Sequence, residues 1–376
     1  MNASLVLCQW NERDWVKRYR TGLSIHSHTL HSKESLDFIY AAARHSGLLR
    51  YVIQQGEIRY KCHYGKSLDL KRGWWTPPLA PLDAYRLEAG ALMAMDLNPI
   101  VSITDHDDIE APMSIGAVEP GLQVPISVEW TVPFGKTFFH FGVHNLPVGQ
   151  ARLWMARLAA FTAEPTLLEL RGIFEELDAT PGVLVIFNHP LWDEKGVGQD
   201  LHRSYALEVL GQYGEHIHAL ELNGLRPWVE NQQVIRLAKD WGKPTISGGD
   251  RHTLEPNALV NLSDAATFGE FVDEVRAGSN TVLVTSQYRQ SHASRIFHNM
   301  LDVFRRYDNH GLGWRTWADR VFYRLDDGRV VSLAQSFGEK PPVSVHLFAS
   351  FMQFAANPTV AVAIKTAFGR DERVVL

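Results

Sequence analysis

Four short polar clusters carry residue types that can do chemistry: His26-Ser27-His28, Thr104-Asp105-His106-Asp107, Asn188-His189-Pro190 and Gly249-Asp250-Arg251-His252. A fifth element, Val128-Glu129-Trp130 followed by His140, lies between the second and the third. Each follows a short apolar run and offers imidazole, carboxylate or both. Neutral imidazoles and ionised carboxylates hold divalent cations, and a hydrolytic site keeps one coordination position for water. The pKa of that water falls from near 16 toward about 7, so hydroxide is present at neutral pH. His26, His28, Asp105, His106, Glu129, His140, His189, Asp250 and His252 are too many ligands for one tetrahedral ion and suit two or three. With no thiolate among them, the set favours Zn, Mn or Fe over a structural zinc site. Taken alone, any one of these motifs is more often a core or surface accident; their order and number carry the reading.

The elements that would position these residues follow from periodicity. His-X-His cannot put both imidazoles on one helix face, but it can put both on one face of a strand, where side chains repeat every two residues. Apolar runs at 23–25, 99–103, 124–128, 182–187, 219–222 and 244–247 read as strands. Helical spacing appears in Leu82–Asp96, Leu167–Leu177 and Val229–Trp241. Such alternation predicts βα units and a parallel sheet or barrel, with the polar clusters at the carboxyl ends of the strands. Residues 50–81, with Lys61, His63, Lys66, Lys71, Arg72, Trp74-Trp75 and Pro77-Pro78, read as an insertion: a lid rich in cations and aromatics, or a solvated surface excursion. The expected division is 1–285 for the hydrolase domain and 286–376 for a mostly helical C-terminal extension.

Composition bounds the rest. The 376 residues carry a net charge of -5, with 45% apolar and 21% charged residues, which is ordinary for a globular protein. Residues 286–376 hold 12 Lys/Arg against 8 Asp/Glu, a local +4 that leaves the first 285 at -9. That small excess is usually a solvated face. Cys8 and Cys62 are the only cysteines, so there is no disulfide framework. A reducing, cytoplasmic compartment fits, and no secretory signal pattern opens the chain. The most apolar segment, Val343–Phe368, is interrupted by His346, Gln353, Asn357, Pro358 and Lys365, so no membrane span is expected. It reads as two packed helices broken before Pro358, with a homodimer or membrane-surface face as the alternative.

The succession His-X-His, Thr-Asp-His-Asp, Val-Glu, His, His-Pro and Asp-X-His resembles the PHP (polymerase and histidinol phosphatase) family of metal-dependent phosphoesterases, over about residues 20 to 285. The resemblance implies a distorted (β/α)7 barrel, related to the TIM barrel, with two or three divalent metal ions at the carboxyl ends of its strands. It implies that His26, His28 and Asp250 hold one ion, that Glu129 bridges it to a second held by His140 and His189, and that His106 and His252 hold a third. The family usually supplies an Asp seven residues after the first His, or a His eight residues after it. Lys33 and Glu34 stand there instead, so Glu34 is taken as the substitute ligand, with His31 as its rival.

Several neighbours have weaker roles. His144, four residues after His140, shares a strand face with it, yet reads more simply as a core histidine; a role exchanged with His140 or a phosphate contact is the alternative. Asp105 is placed beside the ligands as an orienting and catalytic group. Asp107 and Asp108 fit a helix start. Glu221 sits two residues before Asn223, where it can hydrogen-bond a ligand. Lys33, Arg44, Arg226 and Arg251 are phosphate-binding candidates.

The activity implied is hydrolysis of a phosphomonoester, or of a nucleotide or nucleic-acid phosphodiester, through a metal-bound hydroxide, with Asp105, His106, Glu129, Asp250 and His252 as the catalytic set. The substrate would be a phosphorylated small molecule, a nucleotide or a short nucleic acid. Alternatives are a metal-dependent amidohydrolase, whose bridging carboxylated lysine Glu129 would replace, and a degenerate scaffold that has lost its chemistry.

Overall fold

In the computed structural model, residues 4–11, 13–36, 47–304, 312–337, 343–355, 357, 360 and 372–375 are described. The strands, in chain order, are β1 (Leu5–Cys8), β2 (Thr21–Ser24), β3 (Glu34–Ser35), β4 (Gly73–Trp75), β5 (Asn98–Val101), β6 (Val128–Phe134), β7 (Thr137–His144), β8 (Leu184–Asn188), β9 (Ala219–Asn223), β10 (Thr245–Gly248), β11 (Leu259–Ser263), β12 (Thr281–Val284), β13 (Val321–Arg324) and β14 (Val330–Ser332). Two compact units divide them. One comprises 1–32, 79–296 and 369–376, the other 33–78 and 297–368.

In the first unit, a short run of β-branched and aromatic residues such as Leu184–Asn188 has no polar face to offer water, so it is buried on both sides. Its side chains alternate accordingly. Val185 and Phe187 join the larger core with Trp130, Phe141 and Phe174, while Leu184 and Ile186 join a second core with Leu23, Ile25 and Phe271. Two five-stranded sheets result, ordered β1-β12-β11-β2-β5 and β10-β9-β8-β7-β6. The strands β8, β9 and β10 run parallel, as do β2 and β5. Helices Pro81–Met93, Leu167–Ala179 and Trp228–Asp240 stand where helical spacing predicted them. The second starts at Thr166, whose hydroxyl accepts the Glu169 amide at 3.2 Å, and it buries Leu170, Ile173, Phe174 and Leu177 on one stripe.

The expected (β/α)7 barrel is not found closed among the described residues. Strand–helix alternation fails at the pair β6 and β7, an antiparallel hairpin joined by Gly135-Lys136, with Gly135 at φ 58°. Two such residues turn the chain back at once, so no helix intervenes. That sheet is therefore mixed, and so is the other, where β11 runs antiparallel to β2 and β12. Two isolated parallel bridges, Ser27 to Arg251 and His106 to Glu129, link them at the level of the polar clusters.

The second unit combines the segment expected as an insertion with the C-terminal region. A four-stranded sheet, β14-β13-β4-β3, pairs Trp74 with Phe322 and Glu34 with Trp75. The region expected to be mostly helical thus supplies two strands as well as helices Leu333–Phe337 and Val343–Ala355. Leu301, Met352 and Ala355 make a small core there with Phe297 and Phe304. Asp326 pairs with both Lys66 and Arg72. Among the described residues no helix is long and apolar enough to cross a membrane.

Candidate metal centre

The strand ends put the polar clusters side by side. His26 and His28 follow β2, His106 follows β5, Glu129 opens β6, His140 lies within β7, His189 follows β8 and Asp250 follows β10. Glu129 begins a strand rather than ending one, and the bridge to His106 brings it to the other clusters. Its side chain has no solvent exposure, and its two oxygens are divided between two groups of imidazoles. Oε2 lies 3.1 Å from His26 Nε2, 3.3 Å from His28 Nε2 and 3.3 Å from His106 Nδ1. Oε1 lies 3.2 Å from His189 Nε2 and 3.5 Å from His140 Nδ1, and accepts from Asn188 Nδ2 at 3.0 Å. Asp250 Oδ1 reaches His28 Nε2 at 3.3 Å and His26 Nε2 at 3.7 Å. The donor atoms of His28, His106 and His252 lie within 4.8 Å of one another. His252 Nδ1 is 2.8 Å from the Asp250 carbonyl oxygen, and the His252 ring stacks on His28 at 4.2 Å.

The donor chemistry fits cations. His26 Nδ1 is 2.5 Å from Glu221 Oε1, which holds its hydrogen there. Nε2 therefore aims a lone pair at Glu129, while His28 Nε2 stands 3.1 Å away. Acceptors that converge in this way require a shared cation or extra protons. In the metal-free chain, protons are drawn in. Burial pushes the His26 imidazole down, but Glu129 and Glu221 outweigh it and hold the pKa well above the ordinary value. Burial likewise pushes the Glu129 carboxyl up, and His26, His106, His140 and His189 together hold it well below the usual carboxylate range. Asp250 is lowered in the same sense, against burial, by His252, His28 and His26.

A surrounding set of groups fixes these side chains. Glu221 also accepts the His189 amide at 2.9 Å and the Asn223 amide group at 3.1 Å, and Asn223 reaches Asp250 Oδ2 at 3.2 Å. Asp105 accepts the Thr29 amide at 2.5 Å and the Thr29 hydroxyl at 2.6 Å, so it orients the His26–Thr29 loop. Asp107 accepts the Thr131 amide at 2.9 Å, and Asp108 accepts the Glu110 amide at 2.7 Å at the start of helix Glu110–Val118. His189 at φ 26° and Asp250 at φ 54° have left-handed backbones, which are costly for such residues and common at functional sites. A Cβ on Gly248 would lie 1.6 Å from Glu221 Oε1, and one on Gly249 would lie 1.7 Å from the Asn257 side chain, so glycine is needed at both positions before Asp250.

His144 is buried, its Nδ1 is 2.9 Å from the Ser102 hydroxyl, and burial pushes its imidazole down to about 3. Arg251 points away from its neighbours, as strand alternation requires. It pairs with the buried Glu88 at 2.6 Å and donates to the carbonyls of Thr253 and His28. Its partner is remote in sequence and left no local signal. Lys33 and Glu34 belong to the second unit, and Arg44 lies outside the described residues. His31 is half-buried beside Thr29. Arg226 is nine-tenths buried. Glu194, which the sequence did not mark, brings Oε2 to 3.9 Å from His140 Nδ1.

No protein-family model and no curated protein matches the chain. Among solved structures, PsfC from Pseudomonas syringae is 16% identical, covers 72% of this chain and 93% of its own, and has a TM-score of 0.42. A protein of Bifidobacterium adolescentis provisionally described as a metal-dependent phosphoesterase is 14% identical over 54% of this chain and 92% of its own, with a TM-score of 0.33. An amidohydrolase from Chromobacterium violaceum with bound sulfate is 13% identical over 61% and 87%, with a TM-score of 0.33. Likenesses with such scores carry no argument about this chain's chemistry.

Proposed function

We propose that the chain is a metal-dependent phosphoesterase of PHP type, acting on a phosphomonoester or on a nucleotide or nucleic-acid phosphodiester. The observation that carries this reading is Glu129: a fully buried carboxylate whose two oxygens face two separate groups of imidazoles. A carboxylate so divided is what a centre of two or more ions needs. His26, His28 and Asp250 would hold one ion, His140 and His189 a second, and Glu129 would join them. His106 and His252 would contribute to a third site. The two bridges between the sheets are what a distorted (β/α)7 ring would keep at its mouth. Divalent Zn, Mn or Fe there would supply Lewis acidity at a phosphoryl oxygen and an ionisable water.

The chain's own contribution is orientation and charge. Glu221 holds the His26 Nδ1 hydrogen and the His189 amide, so both rings present Nε2 to Glu129. Asn223 holds one oxygen of Asp250 and leaves the other toward His28. Asp105 acts through Thr29 as a positioning residue. Amide or lactone hydrolysis is the competing chemistry for such a ligand set. Assaying generic phosphate esters, sugar phosphates, nucleotides and short oligonucleotides beside an amide and a lactone, with added Mn or Zn, separates the two. Phosphate release that disappears in the His26→Ala, His28→Ala double variant is expected; exclusive amide or lactone turnover, or full activity in that variant, overturns the reading.

A further inference from the structure

Arg226 is a cation of the first unit that the ligand set does not use. It is 9% exposed, and its Nε is shielded from water with no hydrogen-bond partner. Among the described residues its guanidinium makes no hydrogen bond or ion pair. It lies over the Trp192 ring, with Cζ 3.6 Å from the centroid. Shielding a guanidinium nitrogen without an acceptor is costly, and stacking on an indole compensates for only part of that cost. The position is also built. The Arg226 amide donates to Asn223 O at 3.3 Å, its carbonyl accepts from Tyr288 Oη at 2.5 Å and from Arg295 at 2.9 Å, and the Trp192 amide donates to His189 O at 2.9 Å. Both halves of the stack therefore hang from residues at the metal centre, His189 and the Asn223 that holds Asp250. Glu230 is the acid that feels this charge: burial pushes its carboxyl up, while Arg226 and His189 pull it back down, and no hydrogen bond joins it to Arg226.

We propose that Arg226, held over Trp192, is a specificity-determining residue that binds an oxyanion of the substrate, a carboxylate or a second phosphate, at the edge of the Glu129 centre. A planar guanidinium fixed on one face offers its edge donors to such a group in a bidentate fashion. That the ligand is substrate rests on the phosphoesterase reading; that an oxyanion binds does not. The full chain, as purified and again after chelation, is titrated with inorganic phosphate and with malonate while tryptophan fluorescence is followed. Saturable binding that survives chelation is expected, with phosphate or malonate tighter according to which group the substrate carries. Arg226→Gln should weaken it at least tenfold, and Arg226→Lys by an intermediate factor. The melting temperature should hold in both variants, because the side chain makes no hydrogen bond. Binding unchanged in Arg226→Gln, or no saturable binding to the unmodified chain, overturns the proposal. An anion site that persists in a chain without phosphate-ester turnover overturns the phosphoesterase reading alone.

Discussion

Glu129 concentrates the chemistry in one side chain, and its neighbours determine how well that side chain works. Replacing Glu129 by Gln should lower the bound metal of purified protein to below that of the parent by at least one ion per chain, measured by elemental analysis, and reduce turnover by more than about 100-fold. Glu221→Gln removes only the group that orients His26 and His189. Its expected cost is about 10–100-fold in metal affinity, typical of such outer partners. His144 allows a test with the sign worked out. Folded, it titrates at about 3 because it is buried; unfolded, near 6.5. The unfolded chain therefore takes the proton first, so stability is full above about 6.5 and is lost as pH falls toward 3. His144→Gln should flatten that acid limb by a few kcal/mol, since each pH unit between the two titrations is worth roughly 1.4 kcal/mol. At this scale residue types were legible in the sequence and partners were not. Arg251 could be seen to alternate away from Asp250 and His252, but Glu88, which receives it, lies on a helix more than 160 positions earlier.

The elements show where periodicity suffices and where it fails. The runs at β2, β5, β8, β9 and β10 are short, apolar and followed by polar clusters, and all became parallel strands bearing site residues at their carboxyl ends. The pair β6–β7 does not read as a hairpin in the sequence, because its turn is only Gly135-Lys136 and its strands are buried on both faces, which hides the alternation. The paired strands β3, β4, β13 and β14 come from distant segments with weak local patterns, and only tertiary pairing reveals them. The Gly248-Gly249 pair that ends β10 is an element-level device, since it lets Glu221 and Asn257 pass directly over the backbone. Gly248→Ala should destabilise the chain by about 1–3 kcal/mol, as overpacking does. It should also displace Glu221, so that metal content and melting temperature fall together. A melting curve and metal content equal to the parent's would show that this close approach does not hold the site.

For the whole molecule, the donors come from both sheets: His26, His28 and His106 from strands of one, Glu129, His140, His189 and Asp250 from strands of the other. Ions bound among them would act as cross-links between the two. A ligand present at about 100 times its dissociation constant stabilises the native state by about 2.7 kcal/mol. Chelation should therefore lower the melting temperature, readdition of Mn or Zn should restore it, and the double variant of His26 and His28 should show neither effect. A chelator that leaves the melting curve of the parent unmoved would separate the centre from the integrity of the fold. Because Glu129 is sealed from water and ringed by bases before any ion arrives, the empty chain is a trap with the bait already set. Protons and trace metals compete to enter it, mild acid should release whatever it has caught, and the ion recovered with the protein will reflect the supply in the growth medium as much as the preference of the site.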